Sequence, residues 1–262
     1  METITSINNR WVKQIGKLQQ KKYRDRTGLF VIEGVRIVTD ALFAGIRDGI
    51  CLICAERLED PRIDTIIKTG LPLGWLFCGM SEDIYKRVSR TEHGQGIIAI
   101  VPKPLTKEET PSIGMDGWLV FLDALQDPGN LGTIIRTAAA SGCAAVLLSE
   151  GCADPYSEKA VRSSIGSLFR IPVYQNVSVS FLEALKHDSK MTLVATALDG
   201  GKDYRSVMLG EKGLFVFGNE GNGIRPAIRS LCEQTVYIPL KRGVESLNVS
   251  VAASVILFHY LR

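Results

Sequence analysis

A chain of 262 residues with 31 Lys and Arg against 28 Asp and Glu and a 45% apolar share suits one or two globular domains; it is too apolar for a disordered segment and too evenly charged to name a partner from net charge. Six cysteines, mostly inside apolar runs, read as buried small hydrophobes: Cys51-x-x-Cys54 has no second pair at zinc-site spacing, so neither a metal nor a disulfide framework is expected. The N-terminal stretch lacks the apolar core of a secretory signal, and the longest apolar run, Val249–Phe258, is about half a membrane span, so a soluble, cytoplasmic protein is expected.

Residues 5–20 read as a basic amphipathic helix with Trp11, Ile15 and Leu18 on one face. Seven Lys and Arg against one acid lie between Arg10 and Arg26, which fits either a solvated docking helix or a nucleic-acid-facing element. Strands are expected at Leu29–Ile32, Ile50–Ala55, Trp75–Cys78 and Ile97–Val101, with helices at Val35–Ala44, Ile63–Lys68 and Ser81–Val88. That is a compact α/β unit. The proline and charge content of Pro102–Pro111 marks a linker. The expected division is a domain over residues 1–101, a linker over 102–116 and a second domain over 117–262.

Strands resume at Trp118–Asp123, Ala145–Leu148, Pro172–Tyr174, Thr192–Ala197, Leu214–Phe217 and Val236–Ile238. Helices fit at Thr133–Ala140, Ser157–Leu168, Ser180–His187 and Leu247–Leu261. Strict alternation of strand and helix predicts a parallel sheet covered on both faces.

Three of these strands break into polar turns. Leu119–Leu122 leads to Asp127-Pro128-Gly129-Asn130 and then to a helix carrying Arg136. Leu214–Phe217 leads to Gly218-Asn219-Glu220-Gly221-Asn222-Gly223, and Val236–Leu240 leads to Ser246-Leu247-Asn248. A strand delivering a polar turn at a helix start is how open α/β sheets build ligand sites. Each residue also has a plain structural reading: Arg136 as a helix-surface cation, Asn130 as turn chemistry, Glu220 as a loop carboxylate, Ser246 as the N-cap of the last helix. The glycine order G-x-x-G-x-G and the missing acid about twenty residues on argue against a dinucleotide oxidoreductase. No G-x-S-x-G elbow occurs, and His93, His187 and His259 lack triad context, with His93 expected in a turn, so hydrolase chemistry has no nucleophile.

The three segments DPGNLGTIIRTA, FGNEGNGI and IPL…SLNVSVA, in this order, resemble the three sequence motifs of the SpoU/TrmH RNA 2′-O-ribose methyltransferases of the SPOUT superfamily. FVIEGVR (30–36) and GQGIIA (94–99) are similar to the L30e-like substrate-binding domain found in front of many of these enzymes. The resemblance implies an α/β fold: a C-terminal parallel-sheet SPOUT domain with a trefoil knot, which periodicity alone does not suggest, behind a smaller α/β substrate-binding domain. It implies S-adenosylmethionine gripped by the backbone of three loops, here Thr196-Ala197, Gly218-Asn219 and Ile238–Leu240, with Leu247 closing over the adenine. It assigns catalysis to Arg136, Asn130, Glu220, Ser246 and Asn248, with Glu220 paired to Arg136. It implies a homodimer, for which Leu247–Leu261 is a candidate interface, and an RNA substrate, ribosomal RNA of the large subunit ahead of transfer RNA. A non-catalytic RNA-binding module of the same fold is the alternative from another class.

Overall fold

The computed structural model describes residues 2–91, 94–104, 111, 116–189 and 191–261. His93 and most of the expected linker lie outside them. The chain forms two compact units, Met1–Pro104 with Tyr156–Phe169, and Leu105–Pro155 with Arg170–Arg262. The helical segment expected inside the second domain therefore belongs to the first core.

The first unit is a mixed sheet in the order β1-β4-β3-β5-β2, formed by β1 (Glu2–Ile4), β2 (Leu29–Glu33), β3 (Ile50–Cys54), β4 (Leu76–Met80) and β5 (Ile97–Pro102). The single basic helix expected over 5–20 is two helices, α1 (Arg10–Leu18) and α2 (Lys21–Thr27), preceded by the unforeseen strand β1. The break falls at Gln20, whose extended backbone (φ −93°, ψ 130°) separates the two helices, while Asn9 starts α1 by accepting the Trp11 N–H at 2.9 Å and Gly28 ends α2 with a left-handed φ of 67°. Val12, Ile15 and Leu18 are buried, and Trp11 only packs at the edge of their cluster. Helices α3 (Val35–Phe43), α4 (Pro61–Gly70) and α5 (Glu82–Val88) complete this part. Against β2 lies α7 (Glu158–Ser164), shorter than expected because Ile165 turns left-handed at φ 44°. Phe30 of β2 meets Tyr156 and Phe169 at ring-centroid distances of 5.0 and 6.0 Å. Cys51 and Cys54 are buried in β3; burial pushes both thiols up, Cys54 to about 11.

The second unit is an all-parallel sheet in the order β10-β12-β9-β11-β6-β7-β8. Its strands are β6 (Trp118–Leu122), β7 (Ala145–Leu148), β8 (Val173–Tyr174), β9 (Thr192–Thr196), β10 (Lys202–Asp203), β11 (Gly213–Phe217) and β12 (Gln234–Tyr237). Strands β6, β7 and β11 are buried at every position, the continuous apolar pattern of a sheet covered on both faces. Helix α6 (Pro128–Ser141) begins five residues earlier than the expected Thr133: Asp127 accepts the Asn130 N–H at 2.7 Å and Pro128 occupies the first turn, so the apparent turn is a helix start. Gly142 closes α6 at φ 82°, where a side chain would be strained. Helices α8 (Val179–Ser189), α9 (Pro226–Arg229) and α10 (Val249–Tyr260) follow, and α10 packs on α6.

Candidate functional site

Strand order brings the three polar turns together. In sequence they lie tens of residues apart. In the sheet β12, β9, β11 and β6 are consecutive neighbours running the same way, so all four release their turns at one edge. A cavity of about 690 Å³ opens there, within the ~300–1,000 Å³ of small-molecule sites. Thr196 at the end of β9 and Ala197 just after it, Gly218 and Asn219 after β11, and Ile238 and Leu240 after β12 all line it, as does Leu247. Glu220, Ser246 and Asn248 join them. Sequence reasoning overlooked Asp199, Arg229 and Tyr237 on its wall. For Asp199 a signal existed, since Asp199-Gly200-Gly201 is a turn at the end of an expected strand.

The loop after β11 is held at both ends by the end of β6. Asp123, fully buried, accepts from the Arg225 backbone N–H at 2.8 Å and from its Nε at 2.7 Å, and pairs with Nη2 at 2.6 Å. Asn219 Nδ2 donates to the Ala124 carbonyl at 2.9 Å, while its Oδ1 accepts from the Gly221 and Asn222 N–H groups. The Asp123 carboxylate in turn raises the Arg225 guanidinium above its ordinary value. A Cβ on Gly218 would stand 2.3 Å from the Gly223 carbonyl carbon, so the loop closes this tightly only because position 218 has no side chain.

Three of the five residues expected to act in catalysis form one hydrogen-bonded chain. Asn130 Nδ2 donates to Glu220 Oε1 at 3.0 Å, and Asn248 Nδ2 donates to Asn130 Oδ1 at 3.0 Å. Two expectations are corrected. Glu220 is bonded to Asn130 rather than to Arg136; the exposed Arg136, on α6, makes no hydrogen bond or ion pair with the described residues. Ser246 does not cap the last helix, which begins at Val249: Asn248 does, its Oδ1 accepting from the Ser250 and Val251 N–H groups at 2.9 and 3.4 Å.

Residues 117–258 match the SpoU rRNA Methylase family, and residues 9–99 match the MRM3-like substrate binding domain. The 23S rRNA (guanosine(2553)-2′-O)-methyltransferase RlmP of Bacillus subtilis is 37% identical, covering 99% of both chains. The 23S rRNA (uridine(2479)-2′-O)-methyltransferase of Streptomyces viridochromogenes is 30% identical over 99% of this chain and 91% of its own. Among solved structures, the AdoMet-bound rRNA methyltransferase from Sinorhizobium meliloti superposes with a TM-score of 0.87 at 30% identity, over 98% of this chain and 96% of that one. The chain belongs to the SpoU rRNA methylase family.

Proposed function

We propose that this protein transfers a methyl group from S-adenosylmethionine to a ribose 2′-hydroxyl of large-subunit ribosomal RNA. The observation that carries the reading is the convergence of three separated segments on one cavity, in a chain alike from end to end to an enzyme named for that reaction. The cavity suits the cofactor chemically. Leu240, Leu247 and Ile256 offer apolar walls for a purine, exposed loop backbone offers donors and acceptors for its edge, and the carboxylate of Asp199 complements a cationic sulfonium. Thr196, Ala197, Gly218, Asn219, Ile238, Leu240 and Leu247 hold the cofactor, which when bound supplies an electrophilic methyl group.

Arg136, Asn130, Glu220, Ser246 and Asn248 act on the ribose. A guanidinium stays protonated in proteins, so Arg136 serves as a charge that steadies the developing alkoxide or anchors a phosphate, rather than as a base. The 2′-hydroxyl distinguishes RNA from DNA, and the first unit, with its basic α1 and α2, supplies the grip on RNA. Helix α10 leaves Val251 and Phe258 48% and 44% exposed, which fits pairing with a second copy into a homodimer. A ribosomal RNA substrate fits work in the cytoplasm.

The test is to incubate the protein with methyl-labelled cofactor and separate ribosomal and transfer RNAs, then digest to nucleosides. The expected label sits in a 2′-O-methyl nucleoside from large-subunit RNA, and a 2′-deoxy substitution at the target abolishes transfer. Label on a base overturns the reaction class, and label confined to transfer RNA overturns the substrate.

A further inference from the structure

The hydrogen-bonded chain at the mouth of the cavity has a direction, and the direction is fixed by atoms that cannot reverse it. A backbone N–H only donates, so the side-chain atom of Asn248 facing Ser250 N and Val251 N must be its oxygen. The Ser250 hydroxyl, on a buried residue, donates to the same oxygen at 2.6 Å. The Asn248 amino group therefore points to Asn130, which must answer with its own oxygen. That turns the Asn130 amino group toward Glu220, whose Oε1 must accept. The N-cap of α10 thus sets the polarity of two carboxamides in succession and ends the chain on a carboxylate. Among the described residues the other oxygen of Glu220, Oε2, has no partner.

We infer that Glu220, held at the acceptor end of this chain, takes the proton of the ribose 2′-hydroxyl during methyl transfer, with Asn130 and Asn248 as its positioning residues. The inference rests on the function proposed above. The hydroxyl O–H bond breaks and its proton goes to Oε2 of Glu220. The electron pair left on the ribose oxygen forms the new bond to the methyl carbon. The methyl–sulfur bond breaks, and its electron pair stays on sulfur as a neutral thioether. Charge balances: a carboxylate and a sulfonium become a carboxylic acid and a thioether.

The other charged or titratable groups around the cavity are worse acceptors or are placed elsewhere. Arg229 on α9 is a guanidinium that donates to the Asp199 carbonyl at 2.9 Å, and Arg136 on α6, which is not among the residues lining the cavity, is another. Tyr237 of β12 carries a phenol, whose hydroxyl oxygen is a much weaker proton acceptor than a carboxylate. Asp199 is a carboxylate, but it is not part of the chain that joins α6, the loop after β11 and α10.

Two substitutions test this. Glu220→Gln keeps an oxygen for Asn130 and removes the proton acceptor. Methyl transfer should fall by about 10²–10⁴, while calorimetric affinity for S-adenosylmethionine stays within about threefold. The rise of rate with pH that reports ionisation of the acceptor should vanish from its profile. Turnover within about threefold of wild type, or a pH limb that persists, overturns the assignment. Asn248→Asp keeps a good N-cap but presents an oxygen to Asn130, turning the Asn130 oxygen toward Glu220. The Glu220 carboxyl, followed by carbon NMR in protein free of cofactor and RNA, should then titrate at higher pH than in the wild type. An unmoved titration overturns the relay. Wild-type protein that binds the cofactor but methylates no ribose overturns the proposed function and this step with it. An active wild type with an equally active Glu220→Gln variant overturns this step alone.

Discussion

The two units use polar side chains in opposite ways. In the first unit the carboxylate of Glu33 is saturated: Oε1 accepts from the hydroxyls of Tyr85, Ser89 and Thr91, and Oε2 from the Arg90 N–H. The guanidinium of buried Arg24 is likewise spent, donating to the Leu18 and Gln19 carbonyls at 2.7 and 2.8 Å. In the second unit, among the described residues, Glu220 uses one oxygen and leaves the other open, and Arg136 engages none. A polar group with every valence filled holds a fold, whereas one with a valence turned outward has something left to offer a substrate. Sequence alone does not separate the two kinds, since Glu33 and Glu220 both precede a glycine in a loop-like context.

That contrast can be broken by substitution, and the largest effect expected is structural. Arg225→Ala leaves the carboxylate of Asp123 fully buried without its charged partner, which should cost about 3–5 kcal/mol in denaturant unfolding. A loss under about 1 kcal/mol would mean that the clasp between β6 and the loop after β11 carries no weight. Next comes Arg136→Ala, which should slow methyl transfer by about 10²–10³ with unfolding and cofactor affinity unchanged. A destabilised Arg136→Ala protein would place Arg136 with the spent groups instead. Glu33→Ala should do the reverse: about 1–3 kcal/mol of stability lost, read by thermal or urea unfolding, and cofactor affinity untouched. Smallest per residue is the charge on α1 and α2. Replacing Lys13 and Lys17 by Gln should lower the slope of log affinity for RNA against log salt by about 0.7–0.9 for each phosphate that is no longer neutralised. An unchanged slope would mean that these helices face something other than the RNA backbone.

Much of this architecture was legible in the sequence, and what was not has identifiable causes. The strands of the second unit are runs such as Leu119–Leu122 and Leu214–Phe217, apolar at every position, so their places could be read off, and alternation with helices implied parallel pairing. Strand β10 is two residues long and leaves no periodic trace. The segment 158–164 reads correctly as helix, but periodicity reports which face is apolar and not which core receives it. Ser246 and Asn248 are equally good capping residues by type; only backbone geometry, φ −53° and ψ 137° at Asn248, chooses between them. The motif residues were found, but their wiring was not. Asn130, Glu220 and Asn248 meet through side-chain directions set by three different elements, which no sequence spacing encodes.

The placement of Tyr156–Phe169 in the first core has a consequence for biosynthesis. Residues 1–104 emerge from the ribosome first, yet the aromatic partners of Phe30 and the helix packed on β2 lie further along the chain. At about 5–20 residues per second, the 65 residues from 105 to 169 take about 3–13 s to synthesise. During that interval Phe30, which is 0% exposed in the finished protein, lacks its aromatic cover. The nascent chain should therefore offer chaperones an apolar face on β2 that closes only after β6 and β7, the first two strands of the second sheet, have been made, and the two units cannot be separated at a single cut in the chain.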